Sequence, residues 1–170
     1  PVVFASNHQS HMDTPAILAA LPARWRYRVA VAMAKEFFKA HFFPDQFTTG
    51  QVFLNRLAYY LASGFFGAFP LPQREAGARQ TLRYIGEVTG DGSSVLIFPE
   101  GARSESAEIL PFRGGIGMIG ARLQLPVVPV RLEGVNEVLH PRWRMARPGR
   151  CSVTFGPPLH LSGDDYGNLA

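Results

Sequence analysis

VVFASNHQSHMDTPAILAAL, residues 2–21, joins two apolar runs through a polar loop that holds two histidines and an aspartate. Residues 2–6 have the length and the Val/Phe content of a short buried strand. Residues 13–21 read as a helix, with Pro15 in its first turn, where a missing N–H costs little. A strand feeding a helix through a short loop is the building unit of α/β domains.

The same alternation runs on. Residues 27–33 are rich in Val and Ala and predict a strand; 34–43 predict a helix that Pro44 closes. Residues 53–63 predict a helix ended by Gly64–Gly67, and 68–72, with two prolines, a short extended piece. Ala78, Leu82, Ile85 and Val88 recur at helical spacing within 74–89. SVLIF (94–98) predicts a buried strand, 114–123 a helix, 127–132 a strand and 150–155 a last strand. The expected fold class is therefore α/β, a largely parallel sheet with helices on both faces, in one domain over 1–170. Sites in such sheets form in loops beyond the strand carboxyl ends. Two polar loops qualify, 7–13 after the first strand and 99–104 after SVLIF.

The 170 residues suffice for one sizeable core. At 46% hydrophobic and 18% charged the chain is not disordered. A net charge of +4, with 13 Phe, suits an anionic partner. The single cysteine, Cys151, excludes an intrachain disulfide and fits a reducing compartment. The longest uncharged stretch of the apolar middle, 57–73, contains two Gly and two Pro and falls short of the roughly 20 residues of a spanning helix. The chain begins at Pro1, in a strand-like run, and is expected to be a piece of a longer protein. HPRWRMARPGR (140–150) is basic, but no nucleic-acid motif accompanies it; a solvated loop or a patch for anionic lipid or acyl carrier protein is the expectation.

In the first loop His8 and Asp13 stand five apart. An imidazole can take a proton from an attacking hydroxyl, and an Asp on its other nitrogen fixes the tautomer. Read alone, the loop is better explained by a helix cap from Asp13 or Ser10, with His8 on a backbone carbonyl. His8, His11 and Asp13 also suggest a metal set. Their spacing is wrong for the metallo-hydrolase run, and His41, His140 and His160 sit in no ligand motif, so His11 reads as a partly exposed loop residue. Ser10 lacks the Gly-x-Ser-x-Gly turn of a nucleophile. In the second loop, FPEGARSE (98–105), Gly101 permits close backbone approach between Glu100 and Arg103. An Arg beside such a turn suits a phosphate, although a Glu–Arg ion pair tidying the turn explains it too. PFRGGIG (111–117) adds Arg113 at a helix start, and FPLPQR (69–74) adds Arg74.

These residues resemble the glycerolipid acyltransferases of the PlsC type, the lysophosphatidic acid acyltransferases and their relatives. The family's N-H-x-x-x-x-D block stands here as Asn7, His8 and Asp13; its second block is FPLPQR with Arg74; its third is FPEGARS (98–104); its fourth is VVPV (127–130). All four occur in order, and the resemblance covers nearly the whole chain. Ala102 stands where the family usually has Thr, Arg113 where Lys is more frequent, and Gln73 precedes the arginine of the second block.

The resemblance implies transfer of a fatty acyl group from acyl-CoA or acyl carrier protein to 1-acyl-glycerol-3-phosphate, giving phosphatidic acid. It implies His8 as general base oriented by Asp13, with no metal and no cofactor beyond the acyl donor. Arg103, Glu100 and Gly101 would hold the acceptor's phosphate and glycerol end, with Arg74 and Arg113 as further substrate-binding residues. It implies a peripheral or anchored position at the cytoplasmic face of a membrane, and no nucleic-acid partner. The alternatives are the same chemistry on another lysophospholipid or glycolipid, and a non-catalytic lipid-binding module. Most aromatics of 36–43 and 59–69 are expected in core helices, with some Phe at an acyl groove or a bilayer, near Arg24, Arg26, Arg28 and Lys39.

Overall fold

The structure is a computed structural model that describes residues 1–34, 39–71, 78–104, 108–140, 142–143, 145–168 and 170. Six strands form one sheet: β1 (Val3–Ser6), β2 (Val29–Ala34), β3 (Ala68–Leu71), β4 (Ser94–Ile97), β5 (Val127–Glu133) and β6 (Ser152–Phe155). Their spatial order is β3-β2-β4-β1-β5-β6. The first five are mutually parallel, and β6 returns antiparallel to β5. The α/β reading, with its largely parallel sheet, therefore holds.

The central strands are mostly apolar because both faces are covered. All four residues of β1 and of β4 are buried. On one face Phe4, Val31, Leu96, Val128 and Leu132 pack with Ile17, Leu18 and Leu21 of α1 (Asp13–Ala20) and its end. On the other, Val3, Ala5, Val95 and Ile97 pack with Ile85 of α5 (Ala78–Gly90) and with Ile116 and Ile119 of α6 (Gly115–Leu123). The edge strand β6 alternates exposed and half-buried residues, as a strand covered on one side does.

Several expected boundaries move. The second strand is Val29–Ala34 rather than 27–33, and of the helix expected over 34–43 only α3 (Lys39–Phe42) is helical among the described residues. The sheet extends one residue further because β2 pairs with β3 as far as Ala34 opposite Leu71. The helix expected over 53–63 is longer, α4 (Thr49–Phe66), and the extended piece expected over 68–72 is β3 (Ala68–Leu71), with residue 72 outside the described residues. Two short helices carry no clear periodicity and were not expected, α2 (Ala23–Arg26) and α7 (Val135–Val138).

The expectation of a core helix fails for one face of α4. This helix packs on α3 and beside the edge strand β3, and no described element lies beyond it. Phe66 reaches the core, whereas Phe53, Leu54, Tyr60, Leu61 and Phe65 are exposed.

The topology creates a crevice. β1 and β4 are neighbours and parallel, yet β1 feeds α1 on one face while the chain from β4 feeds α6 on the other. Loops that leave adjacent strands toward opposite faces open a cleft at the carboxyl ends. Both polar loops singled out in the sequence leave at this point.

Candidate active site

The loop after β1 is clamped at its root by Asn7. Its Nδ2 donates to the Leu132 carbonyl at 3.0 Å, and its Oδ1 accepts from the Leu132 N–H at 2.7 Å. The buried side-chain amide thus continues the β1–β5 ladder one step beyond the last paired backbone, Ser6 opposite Val130. The chain can then turn away while the Leu132 backbone groups stay paired.

Asp13 organises the rest of the loop. Its side chain is wholly buried, and one oxygen, Oδ2, accepts from His8 Nδ1 at 2.7 Å, the Gln9 N–H at 2.6 Å and the Ser10 N–H at 2.8 Å. It sits at the first residue of α1, where the helix dipole favours a negative charge. It does not cap that helix: Met12 is the cap residue and no side chain bonds there. The cap reading of the loop therefore gives way to the His8–Asp13 pair. Ser10 is a turn residue, its hydroxyl donating to the Leu139 carbonyl and accepting from the Met12 N–H.

The His8 ring is fixed from a second side. It stacks on Phe98, centroids 4.2 Å apart and planes 24° apart. The loop after β4 also grips the His8 backbone, Ser104 N–H donating to its carbonyl at 2.8 Å and Glu100 Oε1 accepting from its N–H at 3.1 Å. Only part of the imidazole, 23% of the side chain, stays accessible, and it lines a cavity of about 260 Å³.

The cavity has two kinds of wall. Val31, Met33, Leu71 and Ile97 make an apolar side, and His8, His11 and Arg103 a polar one, with Gly101 and Ala102 between. Arg103 Nη1 lies across the His11 ring, 2.8 Å from Nδ1 and 2.9 Å from Nε2. Burial first, and then the charges of Arg103 and His8, hold the His11 pKa below the usual imidazole value, with Asp13 opposing. A neutral His11 can accept from the guanidinium, so it supports Arg103 in the cavity wall. The sequence reading treated His11 as a loop residue; its closeness to Arg103, 92 positions away, has no local signal.

Gly101 has φ +71°, a left-handed conformation that suits glycine. A Cβ added there would stand 2.5 Å from Arg113 Cζ and 2.7 Å from its Nε. The Arg113 guanidinium thus packs on the Gly101 backbone, while the Arg113 N–H donates to the Pro99 carbonyl at 3.0 Å. Arg113 buttresses the turn and is not among the cavity-lining residues. Glu100 is likewise buried behind His8 and outside the lining. Arg74 lies outside the described residues. Among the described residues no three His, Cys, Asp or Glu side chains converge on one point as metal ligands would.

Burial raises the Glu100 pKa above the usual carboxylate value, opposed by the backbone N–H groups of His8 and Leu110. The folded carboxyl keeps its proton to a higher pH than the unfolded one. Stability from this group is therefore full below the ordinary carboxylate pKa and is lost as pH rises through the folded value. Glu100→Gln keeps an acceptor for the His8 N–H without the buried charge. It is expected to match or exceed the wild type in urea unfolding at pH 8 and to show no advantage at pH 4. Glu100→Ala strands that N–H and is expected to cost about 1–3 kcal/mol at both.

A His–Asp pair facing a cavity with one apolar and one cationic wall can take a proton from a hydroxyl held beside an apolar chain. The acyltransferase family model matches residues 1–133, and the chain belongs to the acyltransferase family. It is 26% identical over 164 residues to human 1-acyl-sn-glycerol-3-phosphate acyltransferase beta, covering 96% of this chain and 52% of that protein. It is 26% identical over 175 residues to bovine 1-acyl-sn-glycerol-3-phosphate acyltransferase alpha, covering 100% and 54%. The chain thus spans about half the length of these curated relatives. The fold matches the crystal structure of the 1-acyl-sn-glycerophosphate acyltransferase PlsC from Thermotoga maritima with a TM-score of 0.64, at 21% identity, over 96% of this chain and 57% of that one.

Proposed function

We propose that this chain transfers a fatty acyl group from acyl-CoA or acyl carrier protein to the free hydroxyl of 1-acyl-glycerol-3-phosphate, giving phosphatidic acid in phospholipid biosynthesis. The observation that carries the reading is the His8–Asp13 bond of 2.7 Å in the wall of a cavity that also holds Arg103 and an apolar side. The relatives' names support the acceptor. In this reading the reaction takes place at the cytoplasmic face of a membrane, where the soluble acyl donor meets the lysophospholipid acceptor.

Asp13 Oδ2 accepts a hydrogen bond from His8 Nδ1–H, which keeps that proton on Nδ1 and leaves Nε2 as the basic nitrogen. Nε2 takes the acceptor's hydroxyl proton as the oxygen attacks the thioester carbonyl carbon. The C–O bond forms, the tetrahedral centre collapses, and the C–S bond breaks. The departing thiolate takes the proton back from Nε2, so the thiol is released and His8 is regenerated. Asp13 stabilises the imidazolium that exists between the two transfers. A thioester is already activated, so no enzyme nucleophile is needed. Arg103 offers a forked cation to the acceptor's phosphate, and the Val31, Met33 and Leu71 wall suits an acyl chain.

The test offers labelled oleoyl-CoA with lysophosphatidic acid in detergent and follows phosphatidic acid. Arg103→Ala is expected to raise KM for the phosphorylated acceptor about tenfold or more, the value of one charge-assisted contact, and KM for the donor far less. An equal rise for both would remove Arg103 from the acceptor site. Absence of product with lysophosphatidic acid, and product with another lysolipid from a panel, would move the reading to that acceptor.

A further inference from the structure

Helix α4 presents an apolar face that no described residue covers. With about 100° per residue, Gly50, Phe53, Leu54, Leu57, Tyr60, Leu61, Gly64 and Phe65 fall within one arc about 140° wide. Phe53 and Phe65 are 67% and 77% exposed, and Leu54, Leu57, Tyr60 and Leu61 are exposed as well. The opposite side of the helix is occupied. Asn55 Oδ1 accepts from the His41 N–H at 3.0 Å, the Tyr59 ring stacks on His41 with centroids 4.2 Å apart, and Phe66 packs against the core. The exposed arc is thus the face the fold leaves over, and a contiguous apolar patch of this kind marks an interaction surface.

The charge around it says what it meets. Residues 14–74 carry seven Lys and Arg against two Asp and Glu, a net +5. The whole chain is +4, so the remainder, with ten basic and eleven acidic residues, is net −1. From 46 to 74 there is no acidic residue at all, and Arg56 is the single charge inside α4. The carboxyl end of α4 abuts the start of β2, where a Cβ on Gly67 would lie 3.3 Å from the Val29 carbonyl oxygen. Just before that strand stand Arg24, Arg26 and Arg28, with Tyr27 85% exposed and Trp25 exposed beside them. Cations and amphipathic aromatics flanking an apolar helical face match the headgroup and acyl layers of an anionic bilayer. No helix of the described residues is long and apolar enough to cross a membrane, so the geometry is that of a helix lying in the interface. A second protein copy would have to bring an acidic rim, whereas an anionic bilayer brings negative charge over the whole surface.

We propose that the Phe53–Leu57–Leu61–Phe65 face of α4 is the surface by which this domain docks on an anionic lipid bilayer. Docking there sets β3 and β2 next to the lipid. Leu71 at the end of β3, with Val31 and Met33 of β2, forms the apolar wall of the cavity, so a lipid tail has a short apolar route from the bilayer to His8. This deepens the reading of a lipid-handling site, and it is tested without any acyl-transfer assay, so either can fail alone.

The 170-residue chain is sedimented with vesicles of phosphatidylcholine alone and with about one-third phosphatidylglycerol. The expected result is binding to the anionic vesicles, weaker binding to the neutral ones, and loosening with salt. Phe53→Glu/Leu57→Glu, checked for an unchanged circular dichroism spectrum, is expected to lower the partition coefficient at least about tenfold. Should that variant misfold, Leu57→Trp serves instead: the fluorescence it adds should shift to the blue with anionic vesicles and be quenched by brominated acyl chains. Equal partitioning of wild type and charged variant, no blue shift in the Leu57→Trp variant, or wild type that stays in the supernatant would overturn the proposal. So would a dimer in solution that α4 charges dissociate and vesicles do not bind, which would assign the face to a second copy.

Discussion

His8→Ala is expected to lower acyl transfer by a factor of about 10²–10⁴, the usual worth of a positioned general base, while leaving the protein folded. The ring's packing contribution is the Phe98 stack, and part of it already faces solvent. Of the three bonds that hold the loop at this residue, the two made by its backbone N–H and carbonyl, to Glu100 and Ser104, survive the substitution. The lost Nδ1 bond leaves Asp13 Oδ2 still accepting from the Gln9 and Ser10 N–H groups. Initial rates with labelled donor, read beside the unfolding midpoint, separate the two effects. An active His8→Ala protein would assign proton removal elsewhere. A thermally crippled one would show that the stack matters more to the loop than its geometry suggests.

Asp13 offers a sharper experiment, because in the proposed mechanism its oxygen Oδ2 serves catalysis and structure together. The amide oxygen of Asp13→Asn can still accept from the Gln9 and Ser10 N–H groups and from His8 Nδ1, so the loop and the tautomer persist. What is lost is the negative charge that stabilises the imidazolium. Asp13→Asn is expected to lose transfer by about 10²–10⁴-fold and, because its amide nitrogen takes the buried Oδ1 position that has no partner among the described residues, about 1–3 kcal/mol of stability. Asp13→Ala removes the acceptor itself from a fully buried position and leaves two backbone donors unpaired. It is expected to lose as much activity and, in addition, about 2–5 kcal/mol of stability by urea unfolding. If Asp13→Asn transfers at the wild-type rate, the carboxylate is a loop brace and has no electrostatic share in the chemistry.

How much of this was legible in the chain varies by residue. The pairing of His8 with Asp13 lies within one loop, so spacing alone allowed it, and so did a helix cap. The three bonds to Asp13 Oδ2 choose between them. Arg103 was legible as a cation beside a glycine turn. Its contact with His11 was not, since the two are brought together by β1 and β4 pairing side by side. Glu100 was charged and flanked Gly101, and Arg113 stood at a glycine-rich helix start, and the family resemblance implied that both bind substrate. Burial behind His8 and packing on the Gly101 backbone are facts of side-chain direction, which composition does not encode. The Phe-rich middle read as core for the ordinary reason that aromatics are usually inside. Hydrophobicity has no term for whether another layer exists to cover a face, and at this sheet edge none of the described elements does.

The alternation of apolar strands with periodic helices determined the α/β class, because each segment's period and burial follow from local residue type. The motif blocks in the loops after β1 and β4 likewise marked the two loops that line the cavity, since a turn's glycine and charge pattern are local. Only the tertiary structure decided what those loops do to one another. It is the strand order β3-β2-β4-β1-β5-β6 that sets β4 against β1, sends their helices to opposite faces, and leaves His8, Arg103 and an apolar wall around one cavity. Strand order is settled by long-range pairing and packing free energies summed over the whole sheet, and no short stretch of sequence contains that sum.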